Sequence, residues 1–126
     1  MIKTNEGLLI TTSDESDPDI KVWDLGAILN PSPSKKNAVM LVGVLKGHTN
    51  KIIGCEFIGG KNIISVDESG ILNVFNLGVS QPIASQMISK AKFKEVTFFS
   101  NKKQFALLSN DNRIFIIMVQ QVKNLI

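Results

Sequence analysis

The chain offers few residues whose type and spacing could do chemistry. His48 is the only histidine and Cys55 the only cysteine among 126 residues. A structural zinc site needs four ligands, mostly cysteine and histidine, and an intrachain disulfide needs two cysteines. His48 has no second histidine, cysteine or carboxylate at a recognisable spacing, so a structural role is favoured over a catalytic or ligating one. Cys55 lies in an apolar segment with nothing to activate a thiolate, which favours a buried, inert thiol.

Two further patterns resemble ligand sites only superficially. The carboxylates Asp14, Glu15, Asp17 and Asp19 lack the glycine and the closing glutamate of a calcium loop, so they favour a solvated turn. The segment Gly59-Gly60-Lys61 is followed by no serine, threonine or helix, so a hairpin turn explains its glycines better than a phosphate loop does. We therefore predict no catalytic, metal or cofactor site and a chain that is not an enzyme.

Composition limits the class of protein. Hydrophobic residues make up 44% of the chain and charged residues 20%, which is typical of a folded domain and not of a disordered one. The formal charge is +3, and the lysines are scattered. The most apolar run, Ile114 to Val119, is far shorter than the roughly 20 residues of a membrane-spanning helix. The first residues lack the apolar block of a secretory signal. We expect an intracellular location, cytoplasmic or nuclear.

Short apolar runs alternate with turn residues along the whole chain, which predicts an all-β protein with almost no helix. Glycine, asparagine and aspartate occupy the gaps between the runs, and a longer loop covers residues 26 to 37. The predicted strands are Leu8–Ser13, Asp19–Leu25, Val39–Leu45, Ile52–Phe57, Asn62–Val66, Ile71–Leu77, Pro82–Ile88, Lys94–Phe99, Gln104–Leu108 and Arg113–Val119.

The chain also contains a repeat. A shift of 42 positions aligns Phe57 with Phe99 and Gly70 with Asn112, and the order of strand, turn and strand then coincides. A propeller blade of four strands has a period of about 40–45 residues. Several strands are apolar at successive positions and need cover on both faces, which is typical of stacked sheets.

Two stretches carry a specific resemblance. SDESDPDIKVWDL ends in Trp23-Asp24, and a second unit begins with Gly47-His48 and has Phe75-Asn76 where Trp-Asp is usual. The chain resembles the WD-repeat family of β-propellers. The third unit keeps the strand spacing but has neither dipeptide.

The resemblance implies a structural hydrogen-bonded set in each unit. In the family, a histidine, a serine or threonine, an aspartate and a tryptophan bond to one another inside the blade. By the family's spacing, the residues that match this set are Ser13, Asp17 and Trp23 in the first unit, and His48 and Ser65 in the second. In the second unit Ser69 and Phe75 replace the aspartate and the tryptophan, so that set can be only partly closed.

The chain is too short for a closed propeller of ~4–8 blades. We therefore expect an incomplete β-propeller, an open array of roughly three antiparallel blades with units about 1–45, 46–88 and 89–126. The first unit is expected to begin on its second strand. The outer faces should expose Phe115, Ile117 and Leu9. A piece of a longer propeller is favoured over self-association into a ring or completion of another chain's propeller.

The resemblance implies a non-catalytic scaffold for protein–protein interaction, within a longer propeller or a multi-protein assembly. The alternative is an anion-binding module for nucleic acid, phosphorylated partners or acidic lipid. It rests on the strand order, which places a group of lysines at one end of the array. This candidate basic end consists of Lys35, Lys36, Lys61, Lys102 and Lys103. A surface that only improves solubility is the favoured interpretation of these lysines.

Overall fold

The computed structural model describes residues 2–5, 7–13, 16–30, 39–59 and 61–123. Within these residues the chain forms strands in three sheets and two short helices. The strands are β1 (Ile2–Asn5), β2 (Leu8–Thr12), β3 (Ile20–Asp24), β4 (Met40–Leu45), β5 (Ile52–Gly59), β6 (Asn62–Asp67), β7 (Ile71–Asn76), β8 (Ala84–Met87), β9 (Phe93–Phe98), β10 (Gln104–Ser109) and β11 (Ile114–Met118). The helices are α1 (Gly26–Leu29) and α2 (Val119–Lys123).

Each sheet is an antiparallel meander of strands that follow one another in the chain. The first sheet has the order β1-β2-β3-β4, the second β5-β6-β7-β8 and the third β9-β10-β11. Each of the ten predicted strands is present, with ends displaced by no more than two residues from the prediction. The prediction of an all-β, incomplete propeller with three blade-like sheets is confirmed.

One part of the strand prediction was wrong. The first sheet does not begin on its second strand, because Ile2–Asn5 pairs with Leu8–Thr12 and supplies a first strand at the edge of the sheet. This strand has one apolar residue among four, so it gives no hydrophobic pattern. Helix is limited to two short segments, as the prediction of almost no helix requires. α1 closes a single turn after β3, where Asn30 N–H bonds to Gly26 O, and α2 follows β11 directly.

The second and third sheets repeat the same pairing. In β6 and β7, Ile63 lies opposite Phe75, and adding 42 to both numbers gives the observed pair Phe105 and Ile117. The turns repeat as well, since Gly70 (φ 88°) and Asn112 (φ 65°) both have left-handed backbone at the end of the turn after the second strand. Glycine and asparagine are residues that tolerate this conformation.

Buried side chains form two clusters, one on each face of the second sheet. Between the first and second sheets, Ile10, Val22 and Leu45 pack with Phe57 and Phe75. Between the second and third sheets, Leu72 and Val74 pack with Phe93, Phe105 and Leu107. The second sheet is therefore covered on both faces, which explains why β6 and β7 are apolar at successive positions.

The outer face of the third sheet exposes other residues than we expected. Phe115 and Ile117 pack against the cluster shared with the second sheet. Ile114 and Ile116 are 70% and 52% exposed, and Leu9 is half-buried. Successive residues of a strand point to opposite faces of the sheet. The prediction for β11 was therefore wrong, because it assigned the core-facing residues to the exposed face.

Candidate functional site

Three polar side chains meet inside the second sheet. Nδ1 of His48 lies 2.8 Å from Oδ2 of Asp67, and Nε2 lies 2.6 Å from Oγ of Ser65. A carboxylate can only accept, so Nδ1–H donates to Asp67 and, in the neutral imidazole, Nε2 accepts from the serine hydroxyl. His48 precedes β5, Ser65 lies on β6, and Asp67 is the last residue of β6. The structure thus brings His48 and Ser65 together, and it adds a carboxylate that the spacing had not identified.

Asp67 is the acceptor on which this site is built. Its second oxygen, Oδ1, accepts from the backbone N–H of Ser69 at 2.9 Å, the Ser69 hydroxyl at 2.5 Å and the N–H of Ile71 at 3.1 Å. Burial alone raises the pKa of Asp67, but the hydrogen bonds from His48, Ser69 and Ile71 outweigh it and hold that pKa below its ordinary value. The carboxylate therefore also fixes the turn from β6 to β7.

All three residues of this set are buried. His48 is 5% exposed, Ser65 0% and Asp67 1%. The order serine, histidine and aspartate is that of a hydrolase triad, but no substrate can reach a serine that solvent cannot reach. Phe75 stands at the position expected for tryptophan, with its ring centre 6.3 Å from that of His48. It has no N–H to add to the set.

In the first sheet the bonding differs from the expected set. Trp23 Nε1–H donates to Oγ1 of Thr11 at 3.0 Å, and Ser13 is exposed. The cause is the connection between β2 and β3. It spans residues 13 to 19, whereas that between β6 and β7 spans residues 68 to 70. The partner of Trp23 therefore lies twelve positions before it and not ten.

Two carboxylates of the connection between β2 and β3 form ion pairs with lysines. Asp17 pairs with Lys21 at 3.1 Å, and Asp19 with Lys46 at 3.7 Å, so Asp17 does not join Trp23. Asp14 and Glu15 lie outside the described residues. Within the described ranges, no group of three or more histidine, cysteine or carboxylate side chains could hold a metal ion.

The third sheet keeps part of this arrangement without a histidine. A shift of 42 positions turns Asp67 and Ser69 into Ser109 and Asp111, the same two residue types in reversed order. The Ser109 hydroxyl donates to Asp111, and Arg113 Nε–H donates to the same carboxylate at 2.8 Å. These bonds, that of Ser109 first, lower the pKa of Asp111. The aspartate–serine pair therefore closes the same turn in both sheets.

Two buried groups complete the interior of the second sheet. Cys55, 0% exposed, lies in the cluster shared with the first sheet. Asn73, 1% exposed, has no hydrogen-bond partner for either amide atom within the described part of the chain. A Cβ placed on Gly47 would lie 2.7 Å from Cγ of Pro82 and 3.3 Å from Nδ2 of Asn73, so a side chain at Gly47 would force Pro82 to move.

Three lysines of the predicted basic end, Lys61, Lys102 and Lys103, lie in or next to the turns between the first and second strands of the second and third sheets. Leu77 N–H bonds to Lys61 O at 2.9 Å and Val119 N–H to Lys103 O at 2.8 Å. In the second and third sheets the end of the third strand therefore lies next to the turn between the first and second strands. Asp67 and Asp111 follow the second strand, at the opposite end. Lys61, Lys102 and Lys103 are exposed. We call these three residues the lysine end. Lys35 and Lys36 lie outside the described residues.

Solved structures share this architecture. The C-terminal WD40 domain of Sif2 superposes on 98% of this chain with a TM-score of 0.74 at 14% identity, and the chain spans 32% of that one. The fold is that of a partial WD40 propeller. The computationally designed proteins Ika4 and Ika8 cover 93% of this chain at 13% identity, with TM-scores of 0.64 and 0.63. This chain spans 63% of Ika4 and 32% of Ika8. No protein-family model and no curated protein matches the sequence.

No helix in the described part of the chain is both long and apolar enough to cross a membrane.

Proposed function

We propose that this chain is a non-catalytic scaffold for protein–protein interaction, within a longer propeller or a multi-protein assembly inside the cell. The observation that carries the proposal is the burial of the His48–Ser65–Asp67 set, whose side chains are at most 5% exposed. The groups best suited to chemistry are used to hold a turn and a connection in place. A rigid array of sheets with its loops at both ends remains, and a WD40-like fold of this kind is an interaction platform.

Affinity capture followed by reconstitution tests this function. The tagged chain, immobilised after nuclease treatment, is expected to retain specific proteins when the salt concentration is raised. Each candidate is then purified and titrated against the chain by calorimetry. If no purified candidate binds, the scaffold function fails.

The lysine end supports a second candidate, an anion-binding module. Within the described residues Lys61, Lys102 and Lys103 form no ion pair, whereas Lys21 and Lys46 do. Like charges on one surface act together within a Debye length of about 8 Å. A single-stranded RNA oligomer and vesicles of acidic lipid are suitable probes. Binding should fall steeply with salt.

Charge reversal separates the two candidates. The variant Lys61→Glu, Lys102→Glu, Lys103→Glu should abolish anion binding and leave a salt-resistant protein complex intact. The matched control reverses the same number of exposed lysines at the opposite end, Lys51, Lys90 and Lys92. Equal losses in both variants would show a general effect of net charge and no site.

A further inference from the structure

Glu95 of the third sheet stands where the second sheet has a glycine. In the second sheet, Gly54 of β5 lies opposite Val66 of β6. Adding 42 to Val66 gives Leu108, and the residue opposite Leu108 on β9 is Glu95. The two strand positions are therefore equivalent, and they differ by a whole charged side chain.

Glycine is needed at this position where another sheet follows. A Cβ on Gly54 would lie 1.7 Å from Cγ1 of Val96, so this valine of the third sheet lies against the glycine backbone. A further sheet packed on the third in the same way would meet the side chain of Glu95 and bury its charge, which is strongly unfavourable without a partner. The outer face of the third sheet is therefore not built to receive another sheet at this distance, either from a longer propeller or from a second copy.

A small pocket lies beside Glu95 on this outer face. Val96 and Phe98 pack against the second sheet, so Glu95 and Thr97, which alternate with them along β9, point outward. The pocket has a volume of about 130 Å³, and Glu95 is the one charged residue among the described residues that line it. These residues are Glu95, Thr97, Ala106, Leu107, Leu108 and Ile114.

The carboxylate of Glu95 has no cationic partner within the described part of the chain. Its neighbour in the sequence, Lys94, donates to Oδ1 of Asn112 at 3.2 Å. Arg113, which precedes β11, pairs with Asp111 at 2.8 Å. Both of these nearby cations are thus engaged elsewhere, and the carboxylate beside the apolar pocket is left to pair with a cation from outside.

Size, lining and charge together indicate the occupant of the pocket. Pockets for drug-sized molecules measure ~300–1,000 Å³, so a pocket of about 130 Å³ suits a single side chain. Lysine and arginine combine an aliphatic stem, which matches the apolar walls, with a cationic head for Glu95. Ile114 and Ile116 are 70% and 52% exposed, and they extend the apolar surface on the same sheet.

The lysine end of a second copy fits this surface poorly. Its three lysines are flanked in the sequence by glycine, asparagine, glutamine or another lysine. Lys35 and Lys36 lie between a serine and an asparagine. A lysine from any of these places could reach a carboxylate, but its neighbours would leave Ile114 and Ile116 uncovered. The surface favours a basic side chain with apolar side chains near it.

From the carboxylate at a glycine position and the apolar pocket beside it, we infer that the outer face of the third sheet binds a basic peptide segment of a partner protein. One arginine or lysine of the segment enters the pocket and pairs with Glu95, while apolar side chains beside it cover Ile114 and Ile116. Arginine is the better fit, because it can donate two parallel hydrogen bonds to a carboxylate. This inference rests on the scaffold function proposed above and takes its second setting, an assembly of several proteins.

A synthetic peptide of leucine, threonine, arginine, threonine and leucine is the probe, because its arginine and both leucines share one face when it is extended. Fluorescence anisotropy with the full chain measures binding. Glu95→Gln should weaken binding by about tenfold, since a charge-assisted pair is lost. Gln86→Lys, on the exposed strand β8, raises the net charge by the same amount and should bind as the unmodified chain does. Circular dichroism verifies that each variant is folded.

A second peptide with glutamate in place of arginine separates ion pairing from apolar adsorption. It should bind the unmodified chain at least about tenfold more weakly than the arginine peptide, and Glu95→Lys should reverse the order of the two peptides. Equal binding of both peptides, unchanged affinity of Glu95→Gln, or no binding of the arginine peptide would each overturn the inference.

Sedimentation of the unmodified chain tests the remaining occupant, a second copy. A dimer that Glu95→Lys abolishes would overturn the inference, because the copy itself would then supply the cation. If purified partners that support the scaffold function bind Glu95→Gln as they bind the unmodified chain, only the inference about this face fails and the scaffold function stands.

Discussion

Nε2 of His48 lies 2.6 Å from the hydroxyl of Ser65, although seventeen positions separate the two residues in the sequence. The bond ties the connection before β5 to the middle of the second sheet. It also leaves Nδ1 directed at Asp67, which holds the next turn. One imidazole thus links two connections that are remote in the chain.

Removing this imidazole should destabilise the chain. His48→Ala leaves Ser65 and Asp67 buried with one partner fewer each, and every unsatisfied buried group costs ~1–3 kcal/mol. Urea unfolding followed by circular dichroism measures the change in the free energy of unfolding. The neighbouring exposed Thr49, whose hydroxyl accepts from the side-chain amide of Asn50, supplies the control Thr49→Ala. Equal effects of the two substitutions would contradict a structural role for His48.

Stability should fall at acidic pH through Asp67. The pKa of this carboxyl is lowered in the folded chain, so the folded state holds the ionised form better than the unfolded state does. The stabilisation that the ionised Asp67 carboxyl gives to the folded state is fully present above the unfolded pKa, about 3.9. It is lost as the pH falls through the lower pKa of the folded state. Urea titrations between neutral pH and strongly acidic pH measure this loss. Asp67→Asn should be less stable at neutral pH and should lack that part of the acid dependence.

Trp23 and Thr11 should be energetically coupled. Trp23→Phe leaves the Thr11 hydroxyl without its indole partner and should cost about 1 kcal/mol. Thr11→Val should cost a similar amount, and the double variant should lose less than the sum of the two. Ser13→Ala, at the exposed residue that the spacing had favoured, should change the unfolding midpoint little. Strict additivity in the double-mutant cycle would show that the bond contributes nothing.

The contact between β5 and β9 should tolerate no side chain at Gly54. A Cβ at this position would lie 1.7 Å from Cγ1 of Val96, so Gly54→Ala forces the second and third sheets apart. Overpacking of this kind costs ~1–3 kcal/mol. Adding Val96→Ala should restore part of the loss. Gly43→Ala is the control, because its Cβ would meet Val22 at an ordinary 3.9 Å.

Equivalent positions in the second and third sheets should respond differently to the same truncation. Leu72 is 1% exposed, and its counterpart 42 positions later, Ile114, is 70% exposed. Leu72→Ala should therefore cost ~2–5 kcal/mol, whereas Ile114→Ala should change the free energy of unfolding little. Ile114→Lys should reduce self-association in light scattering, because the apolar outer face of the third sheet is uncovered. A stability loss at Ile114 equal to that at Leu72 would show that this face is covered.

Turn residues and apolar runs were enough to predict ten strands and the repeat, because these are local signals that tertiary packing reinforces here. β1 was missed because Ile2–Asn5 becomes a strand only by pairing with Leu8–Thr12, a contact without a hydrophobic pattern. The sequence also could not predict which side chains of β11 face the core. Its residues are apolar on both faces, and only packing against Phe93 and Phe105 shows which face is inside.

The polar set was predicted in part for a similar reason. A fixed spacing before the aromatic residue finds Ser65, but it fails for Thr11 because the turn in the first sheet is longer. It also overlooks Asp67, since the family position is held by Ser69. The pair Asp67 and Ser69 reappears as Ser109 and Asp111, so comparison of the two turns was a signal that could have found the carboxylate.

Because Cys55 is buried, the rate at which its thiol reacts with a reagent can report how often the structure opens. This thiol is 0% exposed in the cluster that joins the first and second sheets, so a thiol reagent reaches it only when the two sheets separate or the chain unfolds. Reactions limited by such openings measure local stability directly. The labelling rate of Cys55, compared with the global unfolding rate, therefore reveals whether the first sheet detaches alone or the whole array comes apart in one step.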